Sequence, residues 1–551
     1  MKTSLMNLAG GLLFGMSLAH GAVAAQPAGP FGAERESVHR DGDDLLTAGL
    51  GLAGLRAMAP PAFADPALPT PAEARRRAFW SNWRGIADLA PGGGYGERYG
   101  SLANVPGREF TAYARLPDRH QPHRVLVQVP DNFDTQKRCL LVTASSGSRG
   151  IYGSIAVAGA WGLPRGCAVA YTDKGAGTDY VDLASAAAVG PEGVAGPDSP
   201  AAFAPAAAHG PGVAFKHAHS QDNPEADWGR HVRQAAEFGL QVLNRAVPGK
   251  APYTFENTRV IAVGISNGGG AVLRAAELDP GGKPWLAAVV AGEPSVLAPG
   301  KAGRALYDYV TEAALLMPCA LYGMEGLPQP PLSAQLQAQG AARCASLAVQ
   351  GLVTGTDATS QSADARRQLM AQGWTEASLR SGALSVGFDL WRSVAVAYAS
   401  AYGRYAFDAH PCGYRYAAMG TDGAPRAATG LERAAWWSDG SGIPPGAGIG
   451  VVDPQAQPGA DPTFAGLQCL RALWTGHDAH ARRVQAGIAQ TRAALPRKHL
   501  PIVVVHGLDD GLIPPAFSSA PYVAAARAAG RDVRYWQVPH VQHFDGFLGL
   551  P

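Results

Sequence analysis

The sequence predicts an α/β fold with a mainly parallel central sheet, interrupted by a large, mostly helical insertion. Three observations predict it. Short apolar runs such as Cys139–Ala144 and Val260–Ile265 alternate with stretches of helical spacing, the pattern of strand–helix–strand units. The runs are continuous rather than alternating, as in Ile502-Val503-Val504-Val505, which suits strands covered on both faces. The rhythm stops near residue 296 and resumes only at Pro501–His506.

Residues 1–25 read as a signal peptide. Lys2 supplies the basic start, Leu8 to Ala19 a short apolar core, and Ala22-Val23-Ala24-Ala25 the small residues of a cleavage site. The apolar run falls short of the ~20 residues a membrane span needs. Residues 26–110 follow as an N-terminal leader region with two helical patterns, Asp43–Met58 and Pro71–Leu89. Thr70 can cap the second, Pro71 suits a first helical turn, and Gly92-Gly93-Gly94 then breaks the chain.

Residues 111–295 form the first part of the core. Strands are expected at Arg124–Val129, Cys139–Ala144 and Cys167–Thr172, then an Ala/Gly/Pro-rich excursion over 183–214. A helix is expected over Asp227–Arg245, where Val232, Ala235, Ala236, Leu240 and Leu243 share a face. A strand at Val260–Ile265, a helix over Asn267–Leu278 and a strand at Leu286–Ala291 complete this part. Residues 296–498 read as an inserted lid domain with helical segments and five tryptophans, Trp374, Trp391, Trp436, Trp437 and Trp474. These could line an apolar acyl pocket, though core packing is the commoner use of Trp. Residues 499–551 are the second part of the core: strands Pro501–His506 and Val533–Val538 flank a helix over Ser519–Ala529.

The 551 residues are 47% hydrophobic and 16% charged, enough for a sizeable core and against global disorder. The net charge of +2 argues against an electrostatic grip on nucleic acid or an anionic membrane and suits a neutral small-molecule substrate. Six cysteines in an exported chain favour disulfides. Proximity in sequence pairs Cys319 with Cys344 and Cys412 with Cys469, while Cys139 and Cys167 each open a strand and could bridge neighbours. No CxxC or Cys/His zinc spacing occurs, so no metal is predicted. His217 and His219 form an H-x-H, but no carboxylate at firm spacing completes a metal site, and polar loop or pocket-lining roles are expected.

Gly264-Ile265-Ser266-Asn267-Gly268 fits the G-x-S-x-G nucleophile elbow, with the apolar strand before it and the helix after it that the motif demands. The serine of an elbow sits on a strained turn, so residues two places away must lack bulk. The fold is therefore expected to be an α/β-hydrolase with Ser266 as nucleophile. A hydroxyl needs a base and the base an orienter, in chain order Ser, acid, His. The acid is expected just past the strand at 502–505, in His506-Gly507-Leu508-Asp509-Asp510-Gly511-Leu512-Ile513-Pro514. Asp510 is preferred over its neighbour Asp509, with Glu293 as an outside candidate whose alternative is to cap backbone N–H groups. The base follows the last strand in Pro539-His540-Val541-Gln542-His543-Phe544-Asp545, and His543 is preferred over His540. Oxyanion donors are expected from Asn267 and from the loop Ser145-Ser146-Gly147-Ser148-Arg149-Gly150, with Ser146 and Gly147 as candidates.

Thr143-Ala144-Ser145-Ser146-Gly147-Ser148-Arg149-Gly150-Ile151-Tyr152-Gly153, Gly166-Cys167-Ala168-Val169-Ala170-Tyr171-Thr172-Asp173-Lys174-Gly175, Ile265–Gly270 and Gln542-His543-Phe544-Asp545 together resemble the D-3-hydroxybutyrate oligomer hydrolases. The resemblance runs from about residue 75 to the C-terminus and is thinnest over 300–500. It implies an enzyme that cleaves short D-3-hydroxybutyrate oligomers to monomers, downstream of poly(3-hydroxybutyrate) depolymerases; the signal peptide makes it a secreted one, and the serine mechanism requires no cofactor. The family's nucleophile carries over onto Ser266, whereas Asp510 and His543 rest on the logic of the fold. The alternatives are another secreted serine hydrolase, such as a tannase-like or feruloyl esterase or a peptidase, and a non-catalytic binding protein on the same scaffold.

Overall fold

A computed structural model describes residues 29–548 apart from 196–200, 206–211, 279–281, 329, 440–441, 444–445 and 447. The predicted signal peptide lies outside the described residues. Nine strands form the main sheet: β1 (Phe31–His39), β2 (Gly107–Ala114), β3 (His123–Pro130), β4 (Cys139–Ala144), β5 (Ala168–Thr172), β6 (Arg259–Ile265), β7 (Ala288–Gly292), β8 (Ile502–Gly507) and β9 (Val533–Val538). They lie in the order β1-β2-β3-β5-β4-β6-β7-β8-β9. The pairs β1/β2, β2/β3 and β3/β5 are antiparallel, and every pairing from β5/β4 to β8/β9 is parallel. The parallel half matches the strands predicted there; its inner strands β4 and β5 are buried on both faces, while the edge strand β9 is largely exposed.

The antiparallel edge was not expected, and it corrects the reading of residues 26–110 as a leader. β1 carries charged, mostly exposed residues, and β2 alternates around a buried Glu109, so neither shows an apolar run. Hydrogen bonding across the β1/β2 ladder makes them strands. The Pro71–Trp83 helix starts at the predicted Thr70 cap, closed by a reciprocal bond to Glu73, but ends six residues early because Arg84 is extended. Its Phe79 and Trp83 pack with Leu45, Leu126 and Leu141 on one face of the sheet. On the other face, the Pro224–Ala246 helix buries Val232, Ala235, Ala236, Leu240 and Leu243 against Val127, Leu140 and Val142.

Between β7 and β8 the chain forms helices that include Leu306–Ala320, Ala358–Ala371, Glu376–Gly387, Leu390–Gly403, Phe464–Thr475 and Ala479–Gln490. A small sheet of Arg415–Met419, Pro425–Arg426 and Ile449–Val452 joins them, and most of the region packs into one core that also takes in Tyr180, Val213, Phe215 and Phe517 from outside it. Trp374 packs edge-on against Trp391 and Phe517, at 5.9 and 5.3 Å between ring centres. All three disulfides follow the pairs suggested by the sequence: Cys139–Cys167 at the starts of β4 and β5, Cys319–Cys344, and Cys412–Cys469.

Candidate active site

β6 passes directly into the Asn267–Ala275 helix through Ser266, whose backbone is strained at φ 59° and ψ −125°. The flanking glycines are required by space. A Cβ on Gly264 would sit 2.3 Å from the Gly268 carbonyl oxygen, and one on Gly268 would sit 2.3 Å from that of Ala144. The turn thus aims Ser266 off the carboxyl edge of the sheet, at the positive end of the helix.

Two more loops converge there. Asp510, after β8, is fully buried, and its Oδ1 accepts the N–H groups of Leu512 (2.8 Å) and Ile513 (2.7 Å). Its Oδ2 accepts from His506 Nε2 at 3.1 Å and from His543 Nδ1 at 2.8 Å. His543, after β9, presents its other nitrogen, Nε2, to Ser266 Oγ at 3.0 Å. Burial opposes the charge of Asp510, but His543 and His506 beside it hold the carboxyl well below the usual range. Burial likewise opposes the imidazolium of His543, yet the Asp510 carboxylate raises it to about 9.

The structure therefore joins Ser266, His543 and Asp510 and leaves the neighbouring alternatives apart. His540 is almost fully exposed and lies 3.9 Å from Asp509, and among the described residues no hydrogen bond or ion pair joins Asp509 to His543. Glu293, just past β7 at φ 41°, does reach the cluster. Its Oε1 accepts the Gly507 N–H at 3.3 Å and its Oε2 lies 3.4 Å from His543 Nδ1. Burial pushes this carboxyl up, and the Asp510 charge adds to the effect. Among the described residues, Glu293, Asp510 and His543 are the one His/Cys/Asp/Glu group compact enough to hold a metal ion, and its Asp510 and His543 atoms are already bonded to each other.

The loop after β4 faces the same space. No hydrogen bond among the described residues uses the N–H groups of Ser146, Gly147 or Asn267, and Gly147 is left-handed at φ 48°. These three and Ser266 line a cavity of about 530 Å³. Part of its apolar wall comes from residues that sequence reasoning missed: Phe388, Leu390 and Val394 around the start of the Leu390–Gly403 helix, and Tyr398, whose hydroxyl accepts from Asn267 Nδ2 at 2.6 Å. That helix is buried nearly all round, a pattern that reveals burial but not which side chains meet a ligand. None of the five tryptophans lines the cavity. His217 and His219 lie on a short helix, Lys216–His219; His217 bonds Ser148 and Glu225, and His219 accepts the Phe215 N–H.

A mixed sheet of this order, with a serine elbow after β6, an acid after β8 and a histidine after β9, defines the chain as an α/β-hydrolase. The family model for 3HB-oligomer hydrolase matches residues 19–551. The chain belongs to that family and is a carboxylic ester hydrolase. The D-(-)-3-hydroxybutyrate oligomer hydrolase of Burkholderia mallei is 38% identical over 99% of this chain and 86% of its own length. That of Burkholderia thailandensis is 38% identical over 92% of this chain and 81% of its own. A solved structure of the cell-wall-degrading esterase LipA of Xanthomonas oryzae is 12% identical, with a TM-score of 0.35 over 81% of this chain and 87% of its own. Among the described residues no helix is long and apolar enough to cross a membrane.

Proposed function

We propose that this chain is an exported serine esterase that cleaves short D-3-hydroxybutyrate oligomers to monomers, using Ser266, His543 and Asp510. The observation that carries the reading is the unbroken run of hydrogen bonds Ser266–His543–Asp510 at a strained elbow inside an apolar cavity. Asp510 holds the Nδ1–H tautomer, so neutral His543 offers Nε2 as base to the Ser266 hydroxyl. Ser266 attacks the ester carbonyl, and the N–H groups of Asn267 and of the Ser146–Gly147–Ser148 turn receive the oxyanion. His543 then protonates the departing alcohol. It next activates a water that releases 3-hydroxybutyrate from the acyl-enzyme. None of these steps calls on a cofactor.

The names of the family and of its relatives supply the substrate class. A mostly apolar wall suits a neutral aliphatic polyester. Residues 296–498 act as a lid, since Phe388, Leu390, Val394 and Tyr398 close the cavity from that region. Export follows from the sequence of residues 1–25, and three disulfides suit an oxidising compartment.

The test is product release from the D-3-hydroxybutyrate dimer and trimer, with wild type and Ser266→Ala in parallel. Monomer from wild type alone is expected. No monomer from either, with a fluorophosphonate probe still labelling Ser266, would discard the substrate and keep the nucleophile.

A further inference from the structure

Behind the Ser145–Gly150 loop lies a buried cation that the proposed reaction does not use. Lys174, on the turn after β5, is 1% exposed and has a left-handed backbone at φ 51°, a conformation uncommon outside glycine. Its ammonium donates to Ser145 Oγ at 3.0 Å and to the Gly147 carbonyl. Among the described residues it makes no ion pair, whereas Lys216, equally buried, is paired with both Asp173 and Asp179. Burial pulls the Lys174 ammonium down to about 8. Its direct partners are neutral, the two oxygens and the Trp228 ring 5.9 Å from Nζ, while the Glu225 and Asp173 carboxylates offset only part of the burial, so the buried ammonium costs stability that a methionine of similar shape would not. Fold maintenance alone is therefore a poor account of it.

The loop geometry offers a better one. In a trans peptide the C=O and N–H point in opposite directions. With the Gly147 carbonyl turned back to Lys174, the Ser148 N–H points to the other side. Ser146, Gly147, Ser148 and Arg149 line the catalytic cavity and Lys174 does not. Like those of Ser146 and Gly147, the Ser148 N–H makes no hydrogen bond among the described residues. The Ser148 side chain is anchored separately, with Oγ 2.6 Å from His217 Nδ1 and His217 Nε2 2.6 Å from Glu225.

We propose that Lys174 is a positioning residue for the oxyanion loop: its ammonium fixes the Gly147–Ser148 peptide with the N–H toward the cavity and polarises that peptide as the tetrahedral oxyanion forms. Hydrogen bonds in series strengthen one another in a low-dielectric interior, so the ammonium makes the Ser148 N–H a stronger donor. This rests on Ser266 being the nucleophile and is independent of which ester is the natural substrate.

The experiment compares wild type, Lys174→Met and Lys174→Gln in the mature, disulfide-bonded chain. It measures kcat and KM for p-nitrophenyl butyrate and Ki for two inhibitors: butaneboronic acid, which becomes tetrahedral and anionic on a serine, and planar butyramide. For Lys174→Met, kcat should fall and the boronate Ki rise together, each by about 10²-fold, the scale of one lost oxyanion donor. KM and the butyramide Ki should stay within about threefold, and the melting temperature should hold or rise. Lys174→Gln, which retains a neutral donor, should recover part of the loss. Equal weakening of both inhibitors, or no change in either, overturns the proposal; if Lys174→Met does not fold, the same pair of Ki values for Lys174→Gln decides. Boronate binding that survives Ser266→Ala unchanged would instead remove the nucleophile on which the proposal rests.

Discussion

Two buried serine–histidine–carboxylate chains border one cavity in this protein. Ser266–His543–Asp510 is joined at 3.0 and 2.8 Å, and Ser148–His217–Glu225 at 2.6 and 2.6 Å. By distance alone the second is the tighter. The difference lies in what surrounds them. Ser266 is strained at a helix N-terminus, and His543 turns Nε2 to the serine and Nδ1 to the acid, while His217 is reversed. All of the Asp510 oxygens are engaged, whereas Glu225 Oε2 has no partner among the described residues. On the proposed mechanism, backbone strain, the helix dipole and room for a carbonyl to approach mark the nucleophile, not the shortest hydrogen bond.

Replacing the serines is the sharpest way to break this comparison. Ser266→Ala should lower kcat by about 10⁶-fold, the size seen when a triad serine is lost, and Ser148→Ala by no more than about tenfold. Mass spectrometry after fluorophosphonate labelling should find the adduct on Ser266 and not on Ser148. The acids come next: Asp510→Asn should cost about 10⁴-fold in kcat through the wrong histidine tautomer, against a small effect for Glu225→Gln.

The pH dependence follows from His543. Because its ring is raised to about 9, kcat/KM should climb about tenfold per pH unit up to that value, as the base becomes neutral. The stabilisation from the Asp510–His543 pair has the opposite sign. It is complete below the ordinary histidine range and is lost as pH rises through about 9, which melting curves across pH 6–10 would register. Asp510→Asn should remove both trends. The smallest effects belong to groups outside the hydrogen-bonded run: Glu293→Gln should move the rising limb slightly downward by removing a nearby carboxylate, and Asp509→Asn and His540→Ala should leave kcat/KM within about twofold.

What could be read in advance had a local cause. β4, β6 and β8 are continuous apolar runs, and the ends of β6, β8 and the mixed edge strand β9 place Ser266, Asp510 and His543 on one sheet edge. The preference for Asp510 over Asp509 rested on the pattern His506-Gly507-x-x-Asp510-x-x-Ile513-Pro514 past the strand end. β1 and β2 were illegible because pairing, not composition, makes them strands, and Glu109 is buried in β2 by its bond to Arg75 from the segment read as a leader.

By itself, then, the sequence determined the parallel core, the elbow and the order serine–acid–histidine, because strand burial and glycine sterics act within a few residues. Only the tertiary structure decided that Phe388 and Tyr398 wall the cavity, that Glu293 stands beside His543, and that Lys174 faces the back of the Gly147 peptide. Each of those contacts joins segments far apart in the chain or from separate loops. Their meeting depends on how helices and loops pack over the sheet, a property that no local spacing of residues encodes.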